Sequence, residues 1–434
     1  MPQFIGLDVH KRVVEACAVD ERGEVLFRER FAATRNTIEE FARRRIGRSD
    51  KVALEATTNT WPIAKLLEPF AAEVVISNPL RTKAIAEAKV KTDKVDAEVL
   101  AQLLRCDFLP KVWMPDAGTR DLRRVTHRRA SLVSDRTALK NRIHAVLHER
   151  LIPIPAGVKL FGTKGRAWLR AIPLDPIGRA SIDADLRLLE AIEAESAPID
   201  QLLVNAGAQD PRVKLLLTLP GVDVSVAQTL LAALGDVRRF KSGDHAASYL
   251  GLTPSTKQSG DPEKRYHGPI TKAGSGHARW MLVQAAQHLD KHPGPLGAFF
   301  RRILRKKNRN VAVVATARKL VVIAWHMLTK NEPYRYAQPR PTEAKLAKLR
   351  LRSGGERRVG GPPKGIKAPA KLPGGSRTVK ALDDVYAFEN LPPRGELPPG
   401  ERAMLKRLKV TRFVRALERE HVVPRAKGVT YEEE

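Results

Sequence analysis

The first hundred residues change hydrophobic rhythm in a way that admits few folds. FIGLDVH, RVVEACAVD and GEVLFRERF are short runs rich in Val, Ile and Phe, joined by turn chemistry such as Asp20-Glu21-Arg22-Gly23, and they predict a three-stranded meander. A helix near residues 37–45 follows, then a strand at KVALEAT, a helix at WPIAKLLEPFA and a strand at AEVVISN. Strands joined by tight turns run antiparallel, and strands separated by helices can run parallel. The pattern therefore predicts a mixed sheet with helices on its faces.

Beyond residue 120 the rhythm becomes helical. From Asp121 to His148, the residues Leu122, Val125, Leu132, Leu139, Ile143 and Val146 fall on a three-four alternation, and Arg129 and Arg136 occupy the two remaining seam positions. Two partners suit that seam: DLRLLEAIEAESAPIDQLL (185–203) folded back as a helical hairpin, or a second chain in a coiled coil. Arginines weaken a dry interface, so Arg129 and Arg136 are also candidates for contact with a nucleic-acid backbone. Residues 211–330 read as helical, and LLLTLPGVDVSVAQTLLAALG (215–235) reads as helix, Pro-Gly turn, helix, a layout able to aim backbone N–H groups at a phosphate. After about 338, stretches such as RSGGERRVGGPPKGIKAPAKLPGGSR predict a basic, largely disordered tail, with a short helix in ERAMLKRLKVTRFVRALERE (401–420). The expected division is an α/β domain over 1–110, a helical coiled-coil-like region over 111–208, a helical domain over 209–335 and the tail over 336–434.

Charge selects the partner. Lys and Arg number 77 against 48 Asp and Glu, a formal net charge of +29 that suits a polyanion, with nucleic acid foremost. An anionic membrane is the rival, but the apolar stretch VAVVATARKLVVIAWHML (311–328) carries Arg318 and Lys319 in its middle, which a membrane span rarely tolerates. The N-terminal stretch has no small-residue cleavage site behind its short apolar run, so a cytoplasmic protein without membrane partners is expected. Cys17 and Cys106 fall in apolar runs and are expected to be buried thiols; two cysteines so placed build neither a disulfide framework nor a zinc site.

In KTDKVDAEVL (91–100), Asp93 and Asp96 stand three apart and share a helical face. Taken alone this is ordinary helix chemistry: first-turn acids offset the macrodipole, and Thr92 can cap. Asp8 interrupts the first strand and Glu55 ends the fourth, and in a meander-then-alternation sheet those strands are commonly neighbours. Four converging carboxylates repel one another unless cations lie between them, and hard divalent ions, chiefly Mg²⁺, take such oxygens and serve phosphoryl transfer. Solvated strand-end and helix-end acids are the competing reading of each residue.

GLDVHK (6–11), LEAT (54–57) and KTDKVDA (91–97) resemble the acidic motifs of the DEDD transposases of insertion sequence family 110, which are similar to Piv-type DNA invertases. The resemblance implies a RuvC-like, RNase H-type α/β domain whose four acids, here Asp8, Glu55, Asp93 and Asp96, bind Mg²⁺. FKSGDHAASYLGLTPSTKQSGDPEKRYHGPITKAGSGHARWMLVQAA (240–286) resembles the family's C-terminal transposase domain: a Gly-x-x-Pro segment at Gly251 to Pro254, a Ser-Gly pair at Ser259-Gly260, and Lys272 with Gly274 and Arg279. The likeness spans roughly residues 3–330 and leaves the tail outside. One position departs: the family usually has Asn where this chain has Ser275.

By that resemblance Ser259 is the nucleophile that links covalently to DNA, with Ser255 and Ser275 as nearby competitors. A serine hydroxyl needs a base or a metal to take its proton, which the first domain's acids would supply in a composite site. Lys272 and Arg279 would contact phosphate, or stand as solvated charge, and His10, His267 and His277 could carry protons although no spacing demands it. The function implied is a DNA transposase or site-specific recombinase, bacterial and nucleoid-associated. It would work as a dimer or tetramer on donor and target DNA, with a noncoding bridge RNA choosing the sites. Two other classes fit the residues: a metal-dependent RuvC-like nuclease using water, which needs the acids and not Ser259, and a non-catalytic nucleic-acid scaffold, which needs neither.

Overall fold

The computed structural model describes residues 1–85, 93–257, 266–356 and 376–424, in two compact units, Met1–Asp116 and Ala117–Glu434. In the first unit, β1 (Phe4–Val9), β2 (Val13–Val19) and β3 (Val25–Ala32) form the expected antiparallel meander. Helix α1 (Arg35–Arg45) leads to β4 (Lys51–Glu55), and α2 (Thr60–Leu67) leads to β5 (Glu73–Ser77). Both later strands run parallel to β1, giving the mixed order β3-β2-β1-β4-β5. Two more helices follow, α3 (Pro79–Ile85) and α4 (Asp93–Arg105).

Side-chain alternation divides the sheet into two unlike faces. Ile5, Leu7, Val9, Val52 and Leu54 pack against Ile38, Phe41, Ile63 and Leu67 of α1 and α2, a core in which each large side chain contributes about 1.5–3 kcal/mol. The other face is built from small groups: Ala97 and Ala101 of α4 lie against Cys17 and Val19, while Leu100 and Leu104 meet Ala53 and Val75. A Cβ at Gly6 would sit 2.1 Å from the Ala97 carbonyl oxygen, so α4 rests directly on the backbone of β1. Cys17 is buried as expected; Cys106, one residue past the end of α4, is exposed, contrary to expectation.

The second unit is mostly helical. Helices α5 (Ala117–Glu149) and α7 (Pro176–Gln209) pack antiparallel, with the short α6 (Thr163–Ala171) closing one end of the hairpin. Of the predicted seam, Leu132, Leu139 and Ile143 are buried, and Leu147 is buried in place of Val146. The seam is thus covered within the chain by the 185–203 stretch, the first of its two expected partners. The Pro-Gly turn joins α8 (Pro211–Leu217) to α9 (Val224–Leu234) as predicted. Asp223 caps α9, accepting from the Val226 N–H at 2.8 Å, so a carboxylate already holds the helix start proposed for phosphate.

Then come α10 (Gly243–Tyr249), the antiparallel pair β6 (Pro254–Lys257) and β7 (Tyr266–Ile270), α11 (Gly276–Ala286), α12 (Pro295–Leu304) and α13 (Arg309–Lys330). Helix α13 is long and apolar enough to cross a membrane by length and composition, but Val313, Ala317, Leu320, Val321 and Ala324 are spent in the protein core and Arg318 pairs with Asp244 at 3.0 Å.

The region expected to be largely disordered, with one short helix in 401–420, is folded wherever the structure describes it, and the 401–420 stretch holds two helices in place of one. Helices α14 (Pro339–Arg352), α15 (Leu382–Phe388), α16 (Pro399–Arg407) and α17 (Thr411–Ala416), with the antiparallel pair β8 (Ser376–Val379) and β9 (His421–Pro424), belong to the second unit. Leu346, Leu382, Tyr386, Leu405 and Phe413 enter the same core as α11 and α13, and the Tyr386 hydroxyl donates to the Tyr334 carbonyl at 2.6 Å. Helix α15, at seven residues, is too short for a periodic signal. Most of the RSGGERR…GGSR stretch lies outside the described residues.

Candidate functional site

Pleat alternation puts Asp8 on the face of β1 that α4 covers, together with Gly6. The parallel pairing of Gly6 with Ala53 and Leu7 with Leu54 runs on toward Asp8 and Glu55, so the two strand acids end adjacent strands on one face. Because α4 descends onto Gly6, its first turn, with Asp93 and Asp96, hangs over that end of the sheet. Thr92, the expected cap, lies outside the described residues.

His10 stands in the middle of these acids. Its Nε2 lies 3.1 Å from Asp8 Oδ2 and 3.3 Å from Asp93 Oδ1. One ligand atom from each of Asp8, His10 and Asp93 falls within 4.8 Å of the others, a grouping able to hold a metal ion. Burial raises the Asp8 carboxyl above its usual range; His10 pulls it down, and the charges of Asp93 and Asp96 push it further up. The Asp8 carboxylate beside it raises His10, against a smaller desolvation effect. Among the described residues the cluster sets two carboxylates against one histidine, which leaves it short of positive charge. A hard cation with oxygen ligands fits that deficit.

Two members of this neighbourhood have places that the sequence does not show. His10 is expected only as one of three possible proton carriers, and its two-residue offset from Asp8 matters once α4 brings Asp93 alongside. Glu15 pairs across the strands with Asp8, is buried on the same face and meets Arg30 at 3.2 Å. Strand register was the available signal, since a hairpin with Asp8 opposite Glu15 puts two acids on one face.

In the second unit the signature segments interlock. Gly251 and Gly274 have φ of +68° and +67°, and a Cβ on them would lie 2.3 Å from the Ala273 carbonyl oxygen and 2.2 Å from that of Tyr249. Only glycine meets both the dihedral and the approach. Arg279 Nη1 donates to the carbonyls of Leu250, Ala273 and Gly274 at 3.1, 2.5 and 3.2 Å, so its guanidinium clasps the loop. Ser275 caps α11, its Oγ accepting from the Ala278 N–H at 3.2 Å; Asn caps helices by the same chemistry, which accounts for the departure from the family pattern.

Lys272 is exposed, with φ of +55°. Ser255 lies in β6, half-buried, whereas Ser259, the expected nucleophile, lies outside the described residues, in the connection between β6 and β7. So does the side chain of His267. His277 packs edge-on to His127, and burial lowers its affinity for a proton. Of the seam arginines, Arg129 faces Asp200 of α7 at 2.6 Å, and Arg136 is half-buried.

Residues 5–151 match a transposase family of the DEDD type of IS110, and residues 213–300 match the transposase IS116/IS110/IS902 family. A Sinorhizobium fredii protein bearing a transposase name is 29% identical over 347 residues, covering 77% of this chain and 86% of the relative. The transposase for insertion sequence element IS1111A of Coxiella burnetii is 25% identical, covering 77% of this chain and 91% of the relative. A pilin gene-inverting protein of Moraxella bovis is 26% identical, covering 65% and 80%.

Proposed function

The chain belongs to the IS110/IS116 family of insertion-sequence transposases, DNA-recombining enzymes, and from that premise we propose that it cuts and rejoins DNA through Ser259 with the acids of the first unit assisting. The observation that carries the reading is the meeting of Asp8, His10 and Asp93, made possible by the contact of α4 on Gly6. The mixed sheet, with β1 and β4 side by side, supports the RuvC-like reading of this unit.

Asp8, Glu55, Asp93 and Asp96 would hold Mg²⁺, which when bound supplies Lewis acidity toward phosphate oxygens and lowers the pKa of an attacking hydroxyl. The serine attacks a backbone phosphorus, its Oγ–P bond forming as a P–O bond to deoxyribose breaks. The seryl proton goes to a neighbouring base, and the released deoxyribose oxygen gains one. Lys272 is exposed on the surface to meet phosphate, whereas Arg279 serves by clasping the segment before β6 to the one after β7. Exchange of strands needs several such sites, so a dimer or tetramer is part of the proposal, as is a bridge RNA that pairs with donor and target DNA. The net charge of +29 supports binding both nucleic acids.

The test is adduct formation. Protein, labelled donor and target DNA, Mg²⁺ and RNA transcribed from the DNA flanking the gene are mixed, and a covalent species removable by protease is sought. Wild-type adducts that vanish in both Ser259→Ala and Asp96→Ala support the reading. Adducts surviving Ser259→Ala move the nucleophile, with Ser255 next, and cutting without adducts favours a nuclease that uses water.

A further inference from the structure

Two cavities in the second unit meet at the same pair of side chains. One, about 610 Å³, lies between α13 and the strands β6 and β7, with Leu252, Ile270 and Val314 on its floor. The other, about 590 Å³, lies between α12, α13 and α16, floored by Leu296, Ile323 and Met327. Phe299 and Lys319 line both, so the two form one track along α13. It starts at the strands whose connection carries Ser259 and ends at α16.

The charge along this track is unbalanced in one sense. Arg318 is paired with Asp244, and Arg335 with Glu332 and Glu401. Arg302, Lys319, Lys330 and Arg407 have no ion-pair partner among the described residues. Arg302 instead lies over the half-buried Phe299 ring, 5.3 Å from its centroid. Apolar floors, an aromatic ring at the junction and uncompensated cations on the rim are what unpaired bases and their phosphates require together, whereas a duplex keeps its bases stacked inside and would use the cations alone.

We propose that this track binds single-stranded DNA, the strand running on from the scissile phosphate, with bases on the apolar floor and phosphates against Arg302, Lys319, Lys330 and Arg407. The choice of DNA over RNA rests on the reading of Ser259 as a DNA nucleophile; the track itself rests on charge and shape.

The experiment uses the full chain and fluorescent oligodeoxynucleotides of about 12 nucleotides, within the range such grooves hold, read by anisotropy across a salt series. Arg302→Glu/Lys319→Glu is expected to weaken single-strand binding about tenfold or more and to lower the salt slope by about 1.4, two contacts' worth. Phe299→Leu, which keeps apolar volume and loses the ring, is expected to weaken it about fivefold, the lower end of one lost stacking contact. The duplex of the same sequence should change less than the single strand in the Phe299→Leu variant. Arg402→Glu/Lys406→Glu, the same charge change on the side of α16 away from the track, is the control, and Lys330→Gln/Arg407→Gln stands in if the first pair lowers the thermal midpoint. Equal losses in control and track variants overturn the proposal, as does a loss confined to an RNA oligomer of the same sequence. Failure of the two readings is separable: wild-type adducts with unaltered single-strand binding in the variants sink the track alone, and track-dependent binding without wild-type adducts sinks the serine reading alone.

Discussion

Glycine contacts serve two regions of this molecule to opposite ends. At Gly6 the missing side chain lets α4 rest on β1, and the consequence is a set of like charges pressed together, with Asp8 raised by burial and by Asp93 and Asp96. At Gly251 and Gly274 it lets two loops interlock, and the consequence is a set of polar groups consumed internally, with Arg279 on three carbonyls and Ser275 on the start of α11. Among the described residues the first region gathers Asp8 and Asp93 around a single histidine; the second is a finished scaffold. A ligand of positive charge is expected to change the first and leave the second untouched.

The largest effects should come from the glycines. Gly6→Ala and Gly251→Ala each force a Cβ onto a backbone oxygen and are expected to cost about 3 kcal/mol, the upper part of the usual overpacking range, read by urea unfolding. Their responses to Mg²⁺ should part. Lifting α4 separates Asp93 from Asp8, so Gly6→Ala loses any stabilisation that Mg²⁺ gives the wild type, and Gly251→Ala keeps it. A Gly6→Ala protein with an intact Mg²⁺ response would break the comparison at its root.

Acid should act on the two units in opposite directions. In the second, His292 is buried at the start of α12, its Nδ1 accepting from the Gly294 N–H at 3.1 Å, and burial lowers its pKa to about 4. A histidine depressed below its unfolded value of about 6.5 contributes stability that is complete above that value and lost as pH falls toward the folded one. The loss is about 3 kcal/mol across that interval, at 1.36 kcal/mol per pH unit. His292→Gln should flatten the acid limb. In the first unit Asp8 and His10 are both raised, so their contributions are fullest at low pH and decline as pH rises through their folded values. Hydrogen exchange read unit by unit as pH falls from 7 to about 4.5 should show the second unit weakening first.

The sheet was legible because hydrophobic alternation and turn chemistry are local, and β1 beside β4 follows from strand order. That Asp8 and Asp93 share one end of the sheet could be read from their places in β1 and at the start of α4. His10 between Asp8 and Asp93 could not, since it depends on how far α4 descends, which Gly6 sets. Nor could the α5 seam choose between its two partners by periodicity alone; Arg129 with Asp200 and Arg142 with Asp185 make α7 the partner within this chain. Leu382 and Tyr386 were hidden for another reason, since a seven-residue helix among prolines and glycines gives no periodic signal.

A smaller effect tests the finished character of the loop. Arg279→Lys keeps the charge and loses the planar fork that reaches three carbonyls, so a loss of about 1 kcal/mol is expected, unchanged by Mg²⁺. Were Arg279 there for phosphate, lysine would largely replace it in DNA binding, stability would hold and the salt slope would stay the same.

The smallest effect on stability should be that of Asp93→Asn, and it is the sharpest test of the comparison. Asp93 is half exposed, so removing its charge takes away a repulsion with Asp8 and an attraction to His10 that solvent screens alike. The balance without divalent cations is a few tenths of a kcal/mol in either direction, the range of exposed ion pairs. In millimolar Mg²⁺ the two contributions no longer cancel, because the variant lacks a charged oxygen that the cation would use, and its thermal midpoint should fall below that of the wild type. If instead Mg²⁺ raises both proteins equally, cations do not collect where Asp8 and Asp93 meet. The raised proton affinities of Asp8 and His10 would then mean only that His10 already balances the acids, and the first unit would be as self-contained as the loop of the second.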